Sequence, residues 1–197
     1  PMVAVTSQGD ASAVQPVKLS PQPKGNWRWL GTRTLLFDPA IRFPQATTYT
    51  VEVPAGIKSA NGGVLKTATT FSFETPTPTL IGRYPYDSQP QHLDVPMFAL
   101  FDQKIDPQAV FAKLTATAAG KPVKLALLDD TALAALKDKQ IAALIEAAKK
   151  NEQAGRYLAF RATEKLPPDA EIQLQFAAGT PSAEGPNTTP SAQTFGF

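Results

Sequence analysis

Short runs of alternating apolar and polar residues recur along most of the chain. Tyr49, Val51 and Val53, for example, alternate with Thr50 and Glu52. A period of two residues is typical of a β-strand with one buried and one exposed face. Clusters of Pro, Gly, Asn and Ser separate these runs, so the pattern predicts antiparallel strands joined by turns.

The chain contains two copies of one unit, which align when the sequence is compared with itself at an offset of 123 residues. The matched pairs include Arg33 with Arg156, Leu35 with Leu158, Phe37 with Phe160, Tyr49 with Ile172, Val51 with Leu174, Val53 with Phe176, Gly56 with Gly179 and Gly62 with Gly185. One residue further along, Phe71 and Phe73 match Phe195 and Phe197. Agreement of this kind predicts tandem domains that share one fold.

The predicted fold is all-β: two tandem immunoglobulin-like antiparallel β-sandwiches, the second with a helical insertion. Strands of the first copy are predicted near residues 2–5, 15–19, 26–30, 33–38, 47–53 and 69–75. Strands of the second copy are predicted near residues 80–84, 94–101, 110–118, 122–128, 156–162, 170–177 and 192–197.

The two domains are predicted to span residues 1–77 and 78–197. The boundary lies in residues 74–79, where alternating prolines favour an extended, semi-rigid connection. Pro1 and Met2 resemble the pair at residues 96–97, which would place the start of the chain within a strand and leave the first domain without its opening strand. An unpaired sheet edge of this kind is expected to pair with another chain or a preceding domain.

Residues 129–155 form the one segment with helical character. They are rich in Ala, Leu, Lys and Glu, with two aspartates at the start and two lysines near the end. Apolar residues at helical spacing and charges that complement the helix dipole predict one helix or two short ones. The segment is an insertion relative to the first copy, in which we place the corresponding connection at residues 21–25.

Composition removes several function classes. The 197 residues include no cysteine and one histidine, His92, and carry a net charge of +2. Disulfides, thiolate metal sites, thioesters and cysteine nucleophiles are therefore excluded, and the charge is too small for a protein that follows nucleic-acid phosphates. No run approaches the roughly 20 apolar residues of a membrane span. We expect no nucleic-acid partner, no direct membrane insertion and no cofactor.

Trp27 and Trp29 lie on one face of a predicted strand that turns into a second strand carrying Leu35 and Phe37. Core packing is the favoured interpretation, because large aromatic side chains dominate small cores. The alternative is a stacking surface for sugars, formed by the side chains of Trp27, Trp29, Tyr84 and Tyr86.

Several other polar residues are candidates for an anion-binding or metal-binding site. Arg28 and Arg33 could clamp an anion, but arginines on exposed strand faces are usually surface charges. His92 alone cannot form a zinc site. The aspartates considered as calcium ligands are Asp87, Asp102, Asp106, Asp129 and Asp130, yet no Asp-x-Asp-x-Asp-Gly loop is present. Phosphate-binding loops and hydrolase nucleophile motifs are also missing. We assign no catalytic, cofactor-binding or metal-binding residue.

The motif at residues 21–39, Pro-Gln-Pro-Lys-Gly-Asn-Trp-Arg-Trp-Leu-Gly-Thr-Arg-Thr-Leu-Leu-Phe-Asp-Pro, is followed by Phe-Pro-x-Ala-Thr-Thr-Tyr-Thr-Val at residues 43–51 and a closing Phe-Ser-Phe-Glu-Thr-Pro at residues 71–76. These motifs resemble bacterial immunoglobulin-like domains, and in particular those in the N-terminal region of bacterial alpha-2-macroglobulin-like proteins. The second copy, with its helical insert, resembles the domain that commonly follows.

This resemblance implies a non-catalytic scaffold module of a large exported protein that traps and inhibits proteases. The implied location is periplasmic or at the cell envelope. The implied partners are other domains of the same parent chain and, through the full-length protein, target proteases. The family's Cys-x-Glu-Gln thioester cannot lie in this cysteine-free segment. The alternative function is a cell-surface carbohydrate-binding or adhesive module.

Overall fold

The computed structural model describes residues 1–3, 16–86 and 89–197. The chain divides into two compact units, Pro1–Thr75 and Pro76–Phe197, which we call unit 1 and unit 2. The strand predicted near residues 2–5 lies partly outside the described residues.

Unit 1 contains two antiparallel sheets. Its strands are β1 (Lys18–Ser20), β2 (Gly25–Leu30), β3 (Thr34–Pro39), β4 (Thr48–Val53) and β5 (Thr69–Glu74). One sheet has the order β1-β4-β5, and the other is the β2-β3 hairpin. Gly25 is required where the two hairpin strands begin to pair, because a Cβ atom there would lie 2.4 Å from the Asp38 carbonyl oxygen.

A chain of aromatic contacts joins the two sheets of unit 1. Trp27 contacts Phe37 at 4.9 Å between ring centroids, and Phe37 contacts Phe43 at 5.8 Å. Phe43 then contacts Tyr49 at 5.0 Å and Phe73 at 5.6 Å, both nearly edge to face. Tyr49 is fully buried at the centre of this chain of contacts, and the other rings are partly exposed.

Unit 2 is larger and has two four-stranded sheets. Its strands are β6 (Leu80–Tyr84), β7 (Met97–Phe101), β8 (Leu114–Ala118), β9 (Lys121–Val123), β10 (Leu125–Leu128), β11 (Tyr157–Ala162), β12 (Ile172–Phe176) and β13 (Gln193–Gly196). Its helices are α1 (Pro107–Phe111), α2 (Asp130–Leu136) and α3 (Lys139–Lys150). The sheet orders are β10-β11-β7-β6 and β13-β12-β8-β9, with every pairing antiparallel.

The inner faces of both sheets meet in one buried core. Met97, Phe101, Phe160, Leu174 and Phe176 are fully buried there, and the rings of Phe101 and Phe176 lie 5.2 Å apart. The all-β fold, with antiparallel sandwiches and a helical insertion in the second, is confirmed.

Helices α2 and α3 cover the outer face of one sheet of unit 2. Ile141 of α3 is buried in a cluster with Phe98, Leu128 and Ala159 from β7, β10 and β11. The insertion is two helices, because Lys137 adopts a left-handed backbone conformation (φ 51°) that ends α2 and Asp138 caps α3.

The two copies share hydrogen-bonding register as well as sequence. Val51 pairs with Phe71 across β4 and β5, and the matching residues Leu174 and Phe195 pair across β12 and β13. Trp27 pairs with Phe37 across β2 and β3, as Leu127 pairs with Phe160 across β10 and β11. The strands that match in the sequence repeat therefore pair in the same way in both units.

The structure corrects the position of the insertion. Since β10 and β11 correspond to β2 and β3, the helices replace the three-residue turn at residues 31–33. The sequence-based placement opposite residues 21–25 is wrong. Two predicted strands also differ: residues 107–111 form α1 because Asp106 caps a helix that begins at Pro107, and the strand near 122–128 is divided into β9 and β10.

The start of unit 1 also corresponds to a different part of unit 2 than the sequence indicates. The Ala60 amide donates to the Pro1 carbonyl, as the Ala183 amide does to Lys104. The Met2 amide donates to the Thr32 carbonyl, as the Ile105 amide does to Gly155. Pro1 therefore corresponds to Lys104, and its predicted match to residue 96 is wrong.

Candidate functional site

The tryptophan hairpin faces the interior of unit 1. Trp29 pairs with Leu35, is 7% exposed and is buried in a small cluster with Val3. Trp27 is half-buried against the Phe37 ring, and its indole N–H is buried with no acceptor among the described residues. Trp29 is therefore part of the core of its unit, and Trp27 packs against the Phe37 ring with part of its surface still exposed.

The two candidate tyrosines lie in unit 2. Tyr84, at the end of β6, is half-buried, and its ring lies 5.7 Å from that of Tyr86, edge to face. Burial, and secondarily the charge of Asp138 and the neighbouring Tyr86, raises the pKa of Tyr84 above its ordinary value. Tyr86 is 44% exposed, so it is the member of the four-residue set with an accessible ring.

The candidate arginines do not form an anion clamp. The Arg28 guanidinium donates a short hydrogen bond to the Asp38 carboxylate across the hairpin, with both side chains about half exposed. Arg33 is exposed at the hairpin turn. In unit 2 the matching Arg156 donates to the Asp102 carbonyl at 3.0 Å, which fixes the base of β11. An exposed pair such as Arg28 and Asp38 contributes little to stability.

Three of the aspartates considered as metal ligands accept hydrogen bonds from backbone amides. Asp106 accepts from amides in the first turn of α1, and Asp129 accepts from the Ala132 amide at 2.8 Å. Asp102 accepts from the Thr79 amide at 3.0 Å, and Asp130 occupies the first turn of α2. Asp87 lies outside the described residues. Within residues 1–3, 16–86 and 89–197, no three metal-ligating side chains are grouped.

His92 lines an open groove in unit 2 with a volume of about 740 Å³. Asp169 and Glu171 line the same groove, together with Pro167, Pro168 and Phe197. His92 is exposed, and no carboxylate pairs with its side chain in the part of the chain that the structure describes.

Sequence reasoning missed a buried polar network at the start of unit 2. Gln103 is completely buried, donates to the Pro76 carbonyl at 3.2 Å and accepts from the Ser182 hydroxyl at 2.7 Å. The network holds the first residues of the unit against the turn after β12. The repeat match at residues 59–62 and 182–185 was the available signal for a structural role of this turn.

The remaining feature is the outer edge of β3. In unit 2 the corresponding strand, β11, lies between β10 and β7, whereas β3 pairs with β2 alone among the described residues. The sequence predicts an open edge in the first domain, and among the described residues β3 has one neighbouring strand where β11 has two.

The described reactive side chains of the two units serve as helix caps, cross-strand pairs and core packing. Residues 1–75 match the family model described as "Bacterial Ig-like domain". Unit 1 is therefore similar to bacterial immunoglobulin-like domains, a family with a non-catalytic fold that suggests a structural or adhesive module. No curated protein matches the chain in sequence. In the described residues, no helix has the length and apolar character needed to cross a membrane.

Proposed function

We propose that residues 1–197 are a non-catalytic scaffold module of a large exported bacterial protein of the alpha-2-macroglobulin type, which traps proteases. In this role the two sandwiches are rigid spacers that position other domains of the parent chain. Target proteases would be engaged through the full-length protein, in the periplasm or at the cell envelope.

The observation that carries the scaffold role is the repeated register. The same strand pairings recur in both units, and Asp38, Asp106, Asp129 and Arg156 are all engaged in structural contacts. A spacer needs folded domains with stable cores, and it does not need a catalytic or ligand-binding pocket. The macroglobulin context is supported by the resemblance of the motif at residues 21–39, and exported location is supported by the bacterial immunoglobulin-like match.

The test begins with the gene that encodes these residues. We expect a long reading frame that contains further macroglobulin domains, and a short adhesin or an enzyme would contradict the proposal. The complete polypeptide should then protect a large protein substrate from a captured protease while leaving small peptide substrates accessible. Isolated residues 1–197 provide the matched control and should protect neither substrate.

The carbohydrate-binding alternative has weaker support, because both tryptophans face the interior and Tyr86 alone offers an exposed ring. A glycan array probed with wild type and with Tyr86→Ala tests it directly. Binding that is lost in Tyr86→Ala would favour the adhesive alternative over the scaffold.

A further inference from the structure

We propose that the outer edge of β3 and the inner face of β5 form a docking site for a two-stranded polypeptide segment from outside residues 1–197. The segment would occupy the positions that β6 and β7 hold in unit 2. The proposal rests on unit 1 and its repeat, and it does not depend on the protease-trapping function.

The first step is the correspondence between the units. Because Pro1 corresponds to Lys104, the described part of unit 1 begins at a position that follows β7 in unit 2. Among the described residues of unit 1, the hairpin sheet therefore has counterparts of β10 and β11 and none of β7 and β6. Unit 2 thus shows what covers the same edge when the sheet has four strands.

The second step is the direction of the backbone groups on β3. The Ala40 amide donates to the Lys24 carbonyl, which continues the ladder between β2 and β3. Hydrogen-bonded pairs alternate along antiparallel strands, so the amides and carbonyls of Leu35 and Phe37 point away from β2. The matching Leu158 and Phe160 of β11 pair with Ala99 and Met97 of β7.

The third step is the exposure of apolar side chains at matched positions. Phe71 of β5 is 55% exposed, whereas the matching Phe195 of β13 is 5% exposed. In unit 2 the Arg83 guanidinium of β6 lies 5.7 Å from the centre of the Phe195 ring, and the Leu80 amide donates to the side chain of Gln193 at 2.8 Å. Strand β6 therefore covers the site that stays open beside Phe71.

These contacts specify the chemistry of the segment. Its inner strand should run antiparallel to β3, with a small apolar residue opposite Leu35 and a larger one opposite Phe37, as Ala99 and Met97 are arranged on β11. An aromatic residue two positions after the small one would lie near Val53, as Phe101 lies against Phe176. The outer strand should carry a cation over Phe71.

A second copy of this chain is a poor occupant. It could offer β7 only by opening its own unit 2, since Met97 and Phe101 are completely buried in that core. Edge-to-edge pairing of two β3 strands would cover the backbone groups but would leave Phe71 without an arginine. A segment from outside residues 1–197 can both pair with the backbone groups of β3 and place a cation over Phe71.

The experiment uses the full 197-residue chain and a synthetic peptide with the sequence of residues 79–103. Amide hydrogen exchange is measured by NMR with and without the peptide. In the free chain we expect rapid exchange at Leu35 and Phe37, and the peptide should slow exchange at both residues. Protection of these amides in the free chain would overturn the proposal, as would unchanged exchange with excess peptide.

Matched variants separate docking from nonspecific association. Phe71→Asp, on the inner face of β5, should weaken peptide binding by at least about tenfold, and Thr70→Asp, on the opposite face of the strand, should leave binding unchanged. A peptide carrying Ala99→Pro should not bind, because proline removes the amide that faces Leu35. Equal effects of the two aspartate variants would overturn the proposal.

Sedimentation of the free chain tests the second-copy alternative. We expect a monomer at concentrations at which Leu35 and Phe37 exchange rapidly. A dimer whose formation protects these two amides would make another copy the occupant and overturn the proposal.

Discussion

Strands β5 and β13 carry the same Phe-x-Phe motif in the same register, yet their phenylalanines have different surroundings. Phe195 is buried between the sheets of unit 2, whereas Phe71 is mostly exposed in unit 1. The same trend holds at Leu35 and Phe37, which are half-buried where their counterparts in β11 are fully buried. An equivalent sequence position becomes core only when a second layer of strands covers it.

The largest expected effect comes from truncating the covered phenylalanine. Phe195→Ala should lower the free energy of unfolding by about 3–5 kcal/mol, since it leaves a cavity in a closed core. The matched Phe71→Ala should cost less than about 1 kcal/mol, since the ring is already in solvent. Denaturant unfolding of both variants, followed by residue-specific NMR signals in each unit, measures the difference. Equal losses would contradict the comparison.

Trp29→Ala tests whether unit 1 has a core of its own despite its smaller sheet. We expect a loss of about 3 kcal/mol, the low end of the range for a buried tryptophan, because its described apolar cluster is small. Trp27→Ala is the control and should cost less, since that ring is only half-buried. A loss below about 1 kcal/mol for Trp29→Ala would place its ring outside the core.

Helices α2 and α3 have no counterpart in the described part of unit 1, and they provide the next contrast. Asp138→Ala should lower stability by about 1 kcal/mol, because the carboxylate caps α3 by accepting from the Ile141 amide at 2.9 Å. Increased amide exchange should be confined to α3 and the strands it covers, with unit 1 unchanged. Asp138→Asn retains the capping oxygen and should preserve most of the stability. Protection of α3 that is unaltered in Asp138→Ala would argue against the cap.

The smallest effect concerns alkaline pH. Burial, and then the charge of Asp130, raises the pKa of Tyr157 above its ordinary value of 10.0, and the pKa of Tyr84 is raised for a similar reason. The unfolded chain therefore loses these protons first, so stability is retained below pH 10 and falls as the pH rises further through the raised values. Tyr157→Phe should reduce this fall in unit 2. Unfolding curves of the wild type and of Tyr157→Phe, measured above and below pH 10, test this prediction. An equal fall of the free energy of unfolding with pH in the two proteins would contradict it.

Much of the fold followed from local patterns. Alternation located most strands to within a few residues, and acidic and basic ends marked the helical insertion, because strand period and helix capping depend on neighbouring residues. The predictions that were wrong concern features that depend on contacts between distant strands or on a helix cap. The insertion could be placed at the turn after Leu30 only because β10 pairs with β11. Asp106 and Pro107 begin a short helix that overlaps the first two residues of the strand predicted near 110–118.

The candidate site was less predictable. The four aromatic residues stood out by size, but ring size does not indicate which face is covered. The buried Gln103 network joins residues 76, 103 and 182, which are distant in the sequence. The open edge was expected in the first domain, yet its extent depended on hydrogen bonds made by Pro1 and Met2.

The amino-acid sequence by itself determined the all-β class, the duplication, the helical insertion and the lack of cysteine chemistry, since each depends on residue identity and spacing along the chain. Only the tertiary structure decided which equivalent residues are buried, where the insertion enters the sheet and which strands pair among the described residues. These properties depend on which strands lie side by side, and the hydrogen bonds and contacts involved join residues far apart in sequence.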